Sequence, residues 1–449
     1  MRLADVEDCL MSRHLKIKYR PIDSVKPNAR NARTHSPEQL QQLARIVKTV
    51  GFINPVVVDE NKKLLAGHAR VLTADLLGLK FIPTICVDHL TEVEKQAYML
   101  ADNKLALNAG WDENLLRVEL ESLMNAEVDF TADITGFSTP EIDLLLHTDP
   151  VPEADEEQIP APDPDNAISR PGDLWVLDRH QVIVGDCREA ETIDTLMDGR
   201  LARMVLTDAP YNVAVQGHVS GLGKNQHREF SMASGEMSPV EFTGFLTDAF
   251  IQTARVSEDG SLLYAFMDWR HTSEILQAGE AAYDRLINVC CWVKSNGGMG
   301  SLYRSRHEMV FVFKKGTASH INNVELGKHG RYRTNVWEYA GYNAFGRDRD
   351  ESLGWHPTVK PVPMLMDAIL DVTNPGDIVL DGFLGSGSTL IAAERTRRIC
   401  YGVELDPAYV DVTIQRWQRE SGRQAVMADT GQTFDQVATE RGLGEVVVS

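Results

Sequence analysis

The stretch that decides the fold is "DIVLDGFLGSGSTLIAAERTRRICYGVELD", residues 377–406. An apolar run, Ile378 to Leu380, ends on Asp381. A turn rich in glycine (Gly382, Gly385, Gly387) leads into a helix-forming stretch, Thr389 to Arg395, and a second apolar run, Cys400 to Val403, ends on Glu404. Strand, glycine turn, helix, strand and acid together make a nucleoside-binding unit of a parallel sheet. A triphosphate loop needs a lysine before its Ser/Thr, but Gly387 is followed directly by Ser388 and Thr389. A dinucleotide fingerprint needs a third glycine where Leu390 stands. With both phosphate ligands disfavoured, a nucleoside without phosphates is left. Glu404, 23 positions after Asp381, can accept both ribose hydroxyls, and the glycines let a zwitterionic tail approach the backbone. S-adenosylmethionine fits this description, whereas a tight turn without a ligand leaves the placement of the acid unexplained.

Upstream, the strand-like runs Gln181–Val184, Met204–Leu206 and Ser261–Phe266 alternate with helical stretches, so a mainly parallel α/β sheet flanked by helices is expected. Ligands of such sheets bind outside the carboxyl ends of the strands. The run Met204–Leu206 leads into "TDAPYNV", residues 207–213. The exocyclic amine of adenine or cytosine has its lone pair delocalised into the ring. Attack on a sulfonium methyl therefore needs acceptors that polarise the N–H bonds in a desolvated pocket. The Asp208 side chain and the Ala209 carbonyl can supply them, Pro210 stiffens the turn, and Tyr211 stacks on the base. That base must first leave the duplex. Alone, Asp-x-Pro-Tyr is an ordinary strand-end turn, but beside the glycine unit it acquires chemistry.

At 449 residues the chain exceeds one compact core and divides into two or three domains. Its six cysteines (Cys9, Cys86, Cys187, Cys290, Cys291, Cys400) form no CxxC pair and no regular spacing. Neither a zinc site nor a disulfide framework is suggested, and a reducing cytosol fits. No apolar run reaches the roughly 18–20 residues of a membrane span and no signal-peptide pattern opens the sequence, so a soluble cytoplasmic protein is expected. No metal is expected either, because methyl transfer from a sulfonium needs no Lewis acid. The net charge of −20 argues against general polyanion binding, although local patches decide encounters.

The acidic, proline-rich run from Thr148 to Pro164 contains no basic residue and reads as an extended linker. Before it, Ser36-Pro37-Glu38-Gln39 offers an N-cap, a first-turn proline and a capping-box glutamine, and Gly51 ends the helix. Pro55–Val58 and Leu64–Ala66 read as a hairpin around Asn61-Lys62, and helices follow at about 91–107 and 112–126.

Over roughly residues 15–105 the chain resembles the ParB/sulfiredoxin-like domain, carried by "IDSVKPNARNARTH", "GFINPVVVDENKKLLAGHAR" and "DNKLAL". The resemblance implies that Gly67, His68 and Arg70 open a helix that can meet nucleotide phosphates. The alternative, helix capping and contact with nearby carboxylates, stays open. An accessory DNA-related domain is expected rather than a nucleotide hydrolase.

Over about residues 170–420 the chain resembles the β group of DNA amino-methyltransferases. The resemblance is carried in order by "VIVGDC", "LTDAPYN", "SLLYAFMDWRH", "NVCCWVKSNGGMGSLYRSRHEMVFVFKKG", "HPTVKP", "LDGFLGSGST" and "GVELD". It implies that Asp186 contacts the adenine amine of the cofactor and that Phe383 packs on it. Asp381, Gly385, Gly387, Ser388, Thr389 and Glu404 would surround the cofactor, and Thr358 and Lys360 would lie near its methionine end. The family usually reads Asp-Pro-Pro-Tyr, so Ala209 keeps the carbonyl but loses the φ restraint. Aspartate rather than serine in the first position leans toward adenine N6.

Basic residues gather locally: Lys294, Arg304 and Arg306 lie near Trp292 and Tyr303, and Lys328, Arg331 and Arg333 follow. They are expected to contact double-stranded DNA, with a target-recognition segment at about 316–355 and a loop at 212–234 that closes over the flipped base. The expected organisation is a ParB-like domain with C-terminal helices (1–147), a linker (148–166), a catalytic domain (167–425) and a tail (426–449). The expected activity is a site-specific, adenine-specific DNA methyltransferase, an orphan or phage-type enzyme rather than half of a restriction pair. Two rivals remain, an N4-cytosine or RNA methyltransferase and a ParB-like regulatory DNA-binding protein. A homodimer and a nucleotide on the N-terminal domain are open partners.

Overall fold

The computed structural model describes residues 15–108, 111–125, 132–147, 162–212, 235–294, 303–324, 326, 331–339 and 359–442. The chain forms two units, Met1–Leu146 and His147–Ser449. In the first, β1 (Ile17–Pro21), β2 (Val56–Asp59), β3 (Leu64–Ala66) and β4 (Phe81–Val87) make a sheet of order β1-β4-β2-β3. The expected hairpin joins β2 to β3, with Lys62 at φ 63° in its turn and Asp59 accepting from the N–H groups of Asn61 and Lys63. Helix α1 (Pro37–Val50) starts at Ser36, whose Oγ accepts from Gln39 N at 3.2 Å. The expected capping box is not completed, because the Gln39 side chain meets His35 Nδ1 at 2.9 Å instead. Helix α2 (His68–Leu76) helps close a small core of Val25, Val56, Val58, Leu64, Ala74 and Ile82. Helices α3 (Glu92–Asn108), α4 (Glu113–Asn125) and α5 (Thr139–His147) follow.

The second unit holds β5 (Leu174–Leu177), β6 (His180–Val184), β7 (Ala202–Thr207), β8 (Ser257–Met267), β9 (Arg285–Val293), β10 (His307–Lys314), β11 (Val336–Glu338), β12 (Ile378–Asp381), β13 (Ile399–Glu404) and β14 (Val426–Met427). They form one sheet of order β11-β9-β10-β8-β7-β12-β13-β6-β5-β14. The middle five, β8 to β6 in that order, run parallel. Strand β10 runs antiparallel to β8 and β9, and β5 runs antiparallel to β6 and β14.

Residues alternate between two cores, as a sheet buried on both faces requires. Met204 and Leu206 of β7 face one core while Val205 faces the other. Helices α6 (Ala190–Met197), α7 (Pro239–Arg255) and α8 (Thr272–Ala282) supply the second core. Helices α9 (Val362–Val372), α10 (Ser388–Arg395), α11 (Pro407–Ser421) and α12 (Phe434–Glu440) supply the first. Residues 426–442, expected as part of a tail, instead complete this unit. Strand β14 joins the sheet edge, and Phe434 is fully buried with its ring 5.3 Å from that of Trp175.

From β7 the chain moves to β8 on one side, and from β12 to β13 on the other. The connections therefore diverge between β7 and β12, and the carboxyl ends of these two strands flank the crevice where such sheets take ligands. Of the expected linker, residues 148–161 lie outside the described residues, as do 213–234 of the expected loop. Positions 325, 327–330 and 340–355 of the expected recognition segment do so too. No helix among the described residues is long and apolar enough to cross a membrane.

Candidate active site

The ends of β7 and β12 are tied together by one bond, Thr207 Oγ1 donating to Asp381 Oδ1 at 3.0 Å. Asp381 also accepts from Thr389 Oγ1 at 2.7 Å and from Phe383 N at 3.0 Å. Both its oxygens are thus occupied in shaping the glycine loop, and burial pushes its carboxyl up to about 6. Two glycines take left-handed conformations, Gly385 at φ 56° and Gly387 at φ 83°. A Cβ on Gly387 would lie 2.8 Å from the Thr413 side chain, whereas one on Gly385 would meet nothing within 4 Å, leaving that face of the loop open. Helix α11 holds the loop from behind. Thr413 Oγ1 donates to Gly385 O at 3.1 Å, and Nη1 of the buried Arg416 donates to Ser386 O at 2.5 Å. Ser388 and Thr389, expected at the ligand, are buried at the start of α10.

Glu404 ends β13, and its two oxygens accept from Gly385 N at 2.8 Å and Asp406 N at 2.9 Å. A carboxylate has further lone pairs for two hydroxyl donors. Burial raises this carboxyl to about 7 in spite of the two N–H bonds. Asp186 follows β6, which pairs with β13. Burial acts to raise its carboxyl, but the Arg188 guanidinium, bonded at 2.5 Å, holds it below the usual range. Arg188 also lies over the Phe245 ring at 5.1 Å, and Phe383 packs on that ring at 5.8 Å. Asp186, Phe383, Gly385 and Glu404 are thereby gathered at the carboxyl ends of the neighbouring strands β6, β12 and β13, and Thr358 lies outside the described residues.

On the other side of the crevice, Asp208 follows β7 and stands in a network of charges. Its Oδ1 accepts from the Tyr211 hydroxyl at 2.8 Å and its Oδ2 from Lys360 Nζ at 2.5 Å. Lys360, expected at the methionine end of the cofactor, bonds Asp208, with its side chain 5% exposed. Glu308 of β10 completes the group: its Oε2 lies 2.9 Å from the Tyr211 hydroxyl and 3.3 Å from Lys360 Nζ, while Lys294 bonds its Oε1. Burial acts to raise Glu308, yet the ammonium groups of Lys360 and Lys294 hold it at about 2. Burial raises Asp208 above the usual carboxylate range and raises the Tyr211 phenol strongly. Ala209 is buried beside them. Asn212, at φ 51°, accepts from the N–H groups of Gly235 and Met237 and donates to Met237 O.

The residues expected at DNA divide. Arg304 and Arg306 are exposed on the turn before β10, where Ser305 accepts from the Trp269 indole at 3.2 Å. Lys294 instead bonds Glu308. Arg331 and Arg333 are turned inward to α9, Arg331 bonding Asp371 at 2.7 Å and Arg333 bonding it at 3.0 Å, so neither is offered to a phosphate. Lys328 lies outside the described residues. In the first unit, Gly67 at φ 92° caps α2, and Arg70 Nη1 donates to the carbonyls of Asn54 and Pro55 at 2.9 Å each. His68 Nε2 is buried without a hydrogen-bond partner among the described residues. A separate cavity of about 300 Å³ is lined by Arg30, Arg33, Asn103 and Lys104 among others.

Sequence reasoning passed over Glu308. Its signal was present as the lone acid in the basic run Lys294–Lys315, but only pairing of β10 with β9, which sets Glu308 opposite Trp292, brings it to Asp208. Among the described residues no group of three or more His, Cys, Asp or Glu could hold a metal.

Residues 202–415 match the DNA methylase family model for N6 and N4 enzymes. Residues 8–104 match the ParB N-terminal domain and 114–171 the ParB-methyltransferase HTH domain. The ParB-like nuclease domain-containing protein YnaK of Escherichia coli (strain K12) is 46% identical over 86 residues, 19% of this chain and 99% of its own length. The type II methyltransferase M.HpaI of Haemophilus parainfluenzae is 24% identical over 48% of this chain and 68% of its own. The solved PvuII DNA methyltransferase (cytosine-N4-specific) aligns with a TM-score of 0.41 and 14% identity over 60% of this chain and 94% of that one. These matches show a DNA methylase domain of the N6/N4 type over residues 202–415 and a ParB N-terminal domain over residues 8–104, and the chain is a DNA methyltransferase.

Proposed function

We propose that this protein transfers a methyl group from S-adenosylmethionine to the N6 amine of adenine in DNA, on a base flipped out of the duplex. The observation that carries the proposal is the Thr207–Asp381 bond at 3.0 Å, which fixes the Asp208 turn beside the glycine loop. The residues present fit the cofactor. Glu404 keeps lone pairs for a ribose, and Gly385 leaves an open approach to the backbone. Bound there, S-adenosylmethionine supplies an electrophilic methyl on a sulfonium. Asp186 and Phe383 are the adenosine contacts in this proposal, while Asp381, Ser388 and Thr389 hold the loop in shape.

Asp208 and the Ala209 carbonyl accept the hydrogens of the target amine and return lone-pair density to nitrogen. Pro210 fixes the turn and Tyr211 stacks on the base. Aspartate at the head of the motif supports adenine over cytosine by family analogy. Arg304 and Arg306, exposed just before β10 and so near the carboxyl end of its antiparallel neighbour β8, suit phosphate contacts. The ParB-like unit is assigned an accessory DNA-related role, supported by the matches over residues 8–104 and 114–171.

Purified protein, methyl-labelled S-adenosylmethionine and mixed duplex DNA, followed by nucleoside digestion and mass spectrometry, provide the test. Label in N6-methyladenine that vanishes with Asp208→Ala is expected. Label in N4-methylcytosine moves the chemistry to the other base. No label in DNA or RNA removes the enzymatic proposal and favours a regulatory role for the ParB-like half.

A further inference from the structure

Asp208 has both carboxylate oxygens occupied before any base arrives, Oδ1 by Tyr211 at 2.8 Å and Oδ2 by Lys360 at 2.5 Å. Unlike the neutral N–H donors on Glu404, the Lys360 ammonium on Oδ2 draws electron density from the carboxylate, so Asp208 as it stands is a weakened acceptor for a weakly acidic aromatic amine. Resting on the methyl transfer proposed above, we propose that Glu308 is a positioning residue: it receives the Tyr211 hydroxyl and the Lys360 ammonium when Asp208 turns its oxygens to the target amine.

Three features of the geometry support the exchange. The Tyr211 hydroxyl carries one proton and lies at nearly equal distances from the two carboxylates, 2.8 Å from Asp208 and 2.9 Å from Glu308, so it serves one at a time. Lys360 Nζ is already 3.3 Å from Glu308 Oε2, so a displacement of less than about 1 Å converts that contact into a full hydrogen bond. Its ammonium lies over Phe266 at 5.2 Å, Tyr211 at 5.4 Å and Trp292 at 6.0 Å, a bed of ring faces that holds a cation through the shift.

Glu308 itself does not move, since it is carried by β10 opposite Trp292 and its other oxygen is bonded by Lys294. Two carboxylates face two ammonium groups, so the exchange changes partners without creating a buried net charge. Each bond lost by Asp208 is matched by one gained by Glu308, and no proton leaves the network.

The experiment compares wild type, Glu308→Gln, Lys360→Met and the double variant in steady-state label transfer to DNA, with S-adenosylmethionine affinity and thermal unfolding measured on each. Neutralising Glu308 weakens the receiving acceptor, so kcat is expected to fall about 10- to 100-fold, the size of one charge-assisted hydrogen bond, at unchanged cofactor affinity. Removing Lys360 as well frees Asp208 Oδ2, so the double variant is expected to recover at least about 5-fold over Glu308→Gln. A structural role would give additive losses and no recovery. Should Glu308→Gln fail to fold, Glu308→Asp keeps the charge but withdraws it by one methylene, and the same recovery with Lys360→Met is expected. Wild-type kcat in Glu308→Gln, or no recovery in the double variant, overturns the exchange alone. Absence of transfer by wild type overturns the proposed function and the exchange with it.

Discussion

Replacing Gly387 by alanine tests whether α11 dictates the shape of the glycine loop. The φ of 83° is left-handed, which costs a residue with a Cβ about 1–2 kcal/mol. The new methyl would also lie 2.8 Å from both Cγ2 and Oγ1 of Thr413, inside any normal contact, and overpacking of this kind costs about 1–3 kcal/mol. The single variant should therefore lose about 2–5 kcal/mol. Thr413→Ala removes the obstacle and gives up the bond to Gly385 O, at a cost of about 1 kcal/mol. In that background the Cβ of residue 413 remains 3.1 Å from the added methyl, so Gly387→Ala should cost the backbone strain, about 1–2 kcal/mol, plus the small shift that relieves this one contact. Urea unfolding followed by fluorescence reads the difference, since Trp417, on the same helix as Thr413, is fully buried. Equal losses in both backgrounds would refute the steric coupling between loop and helix.

Glu404 should make cofactor binding depend on pH: with its carboxyl raised to about 7, affinity should fall between about pH 8 and pH 6, and Glu404→Gln should bind weakly with a flat profile by calorimetry. The sign for stability is opposite: the folded state keeps this proton longer than an unfolded chain with the ordinary value of 4.5. Without ligand, stability should therefore decline as pH rises from 4.5 toward 7. Replacing Arg304 and Arg306 with alanine should leave the melting temperature unchanged, weaken DNA binding and lower the salt slope by about 2, near one for each lost phosphate contact. Arg333→Ala should instead destabilise by about 3 kcal/mol, the low end for a broken buried pair, because Arg331 still holds Asp371. A melt unchanged by Arg333→Ala would contradict that assignment.

The sheet's central strands were legible because each is a local apolar run closed by a turn residue. Ile378–Leu380, Met204–Leu206, Gln181–Val184 and Ser261–Phe266 all lie in observed strands. The glycine loop was legible for the same reason, since strand, turn and acid follow one another within thirty positions. The charged network was not. Asp208, Glu308 and Lys360 are separated by 100 and 52 positions, and their meeting depends on β10 pairing with both β8 and β9. Local pattern cannot distinguish an arginine bound for solvent from one bound for a buried aspartate, which is why Arg304 and Arg333 looked alike in sequence. The residues at 426–442 read as a tail because a two-residue strand carries almost no periodicity, although Phe434 and Val437 fill the core.

The order of strands also bears on how the protein is made. Strands β6 and β7 are consecutive along the chain, yet the two positions between them in the sheet belong to β12 and β13, which leave the ribosome nearly two hundred residues later. Until then, each of these early strands presents an unpaired edge, the feature that invites both aggregation and proteolysis. When β12 and β13 insert, they close those edges and bring Asp381 to Thr207 in the same event. A chain cut short before Ile378 thus lacks both the cradle and the partner of the Asp208 turn, and keeps the open edges of β6 and β7.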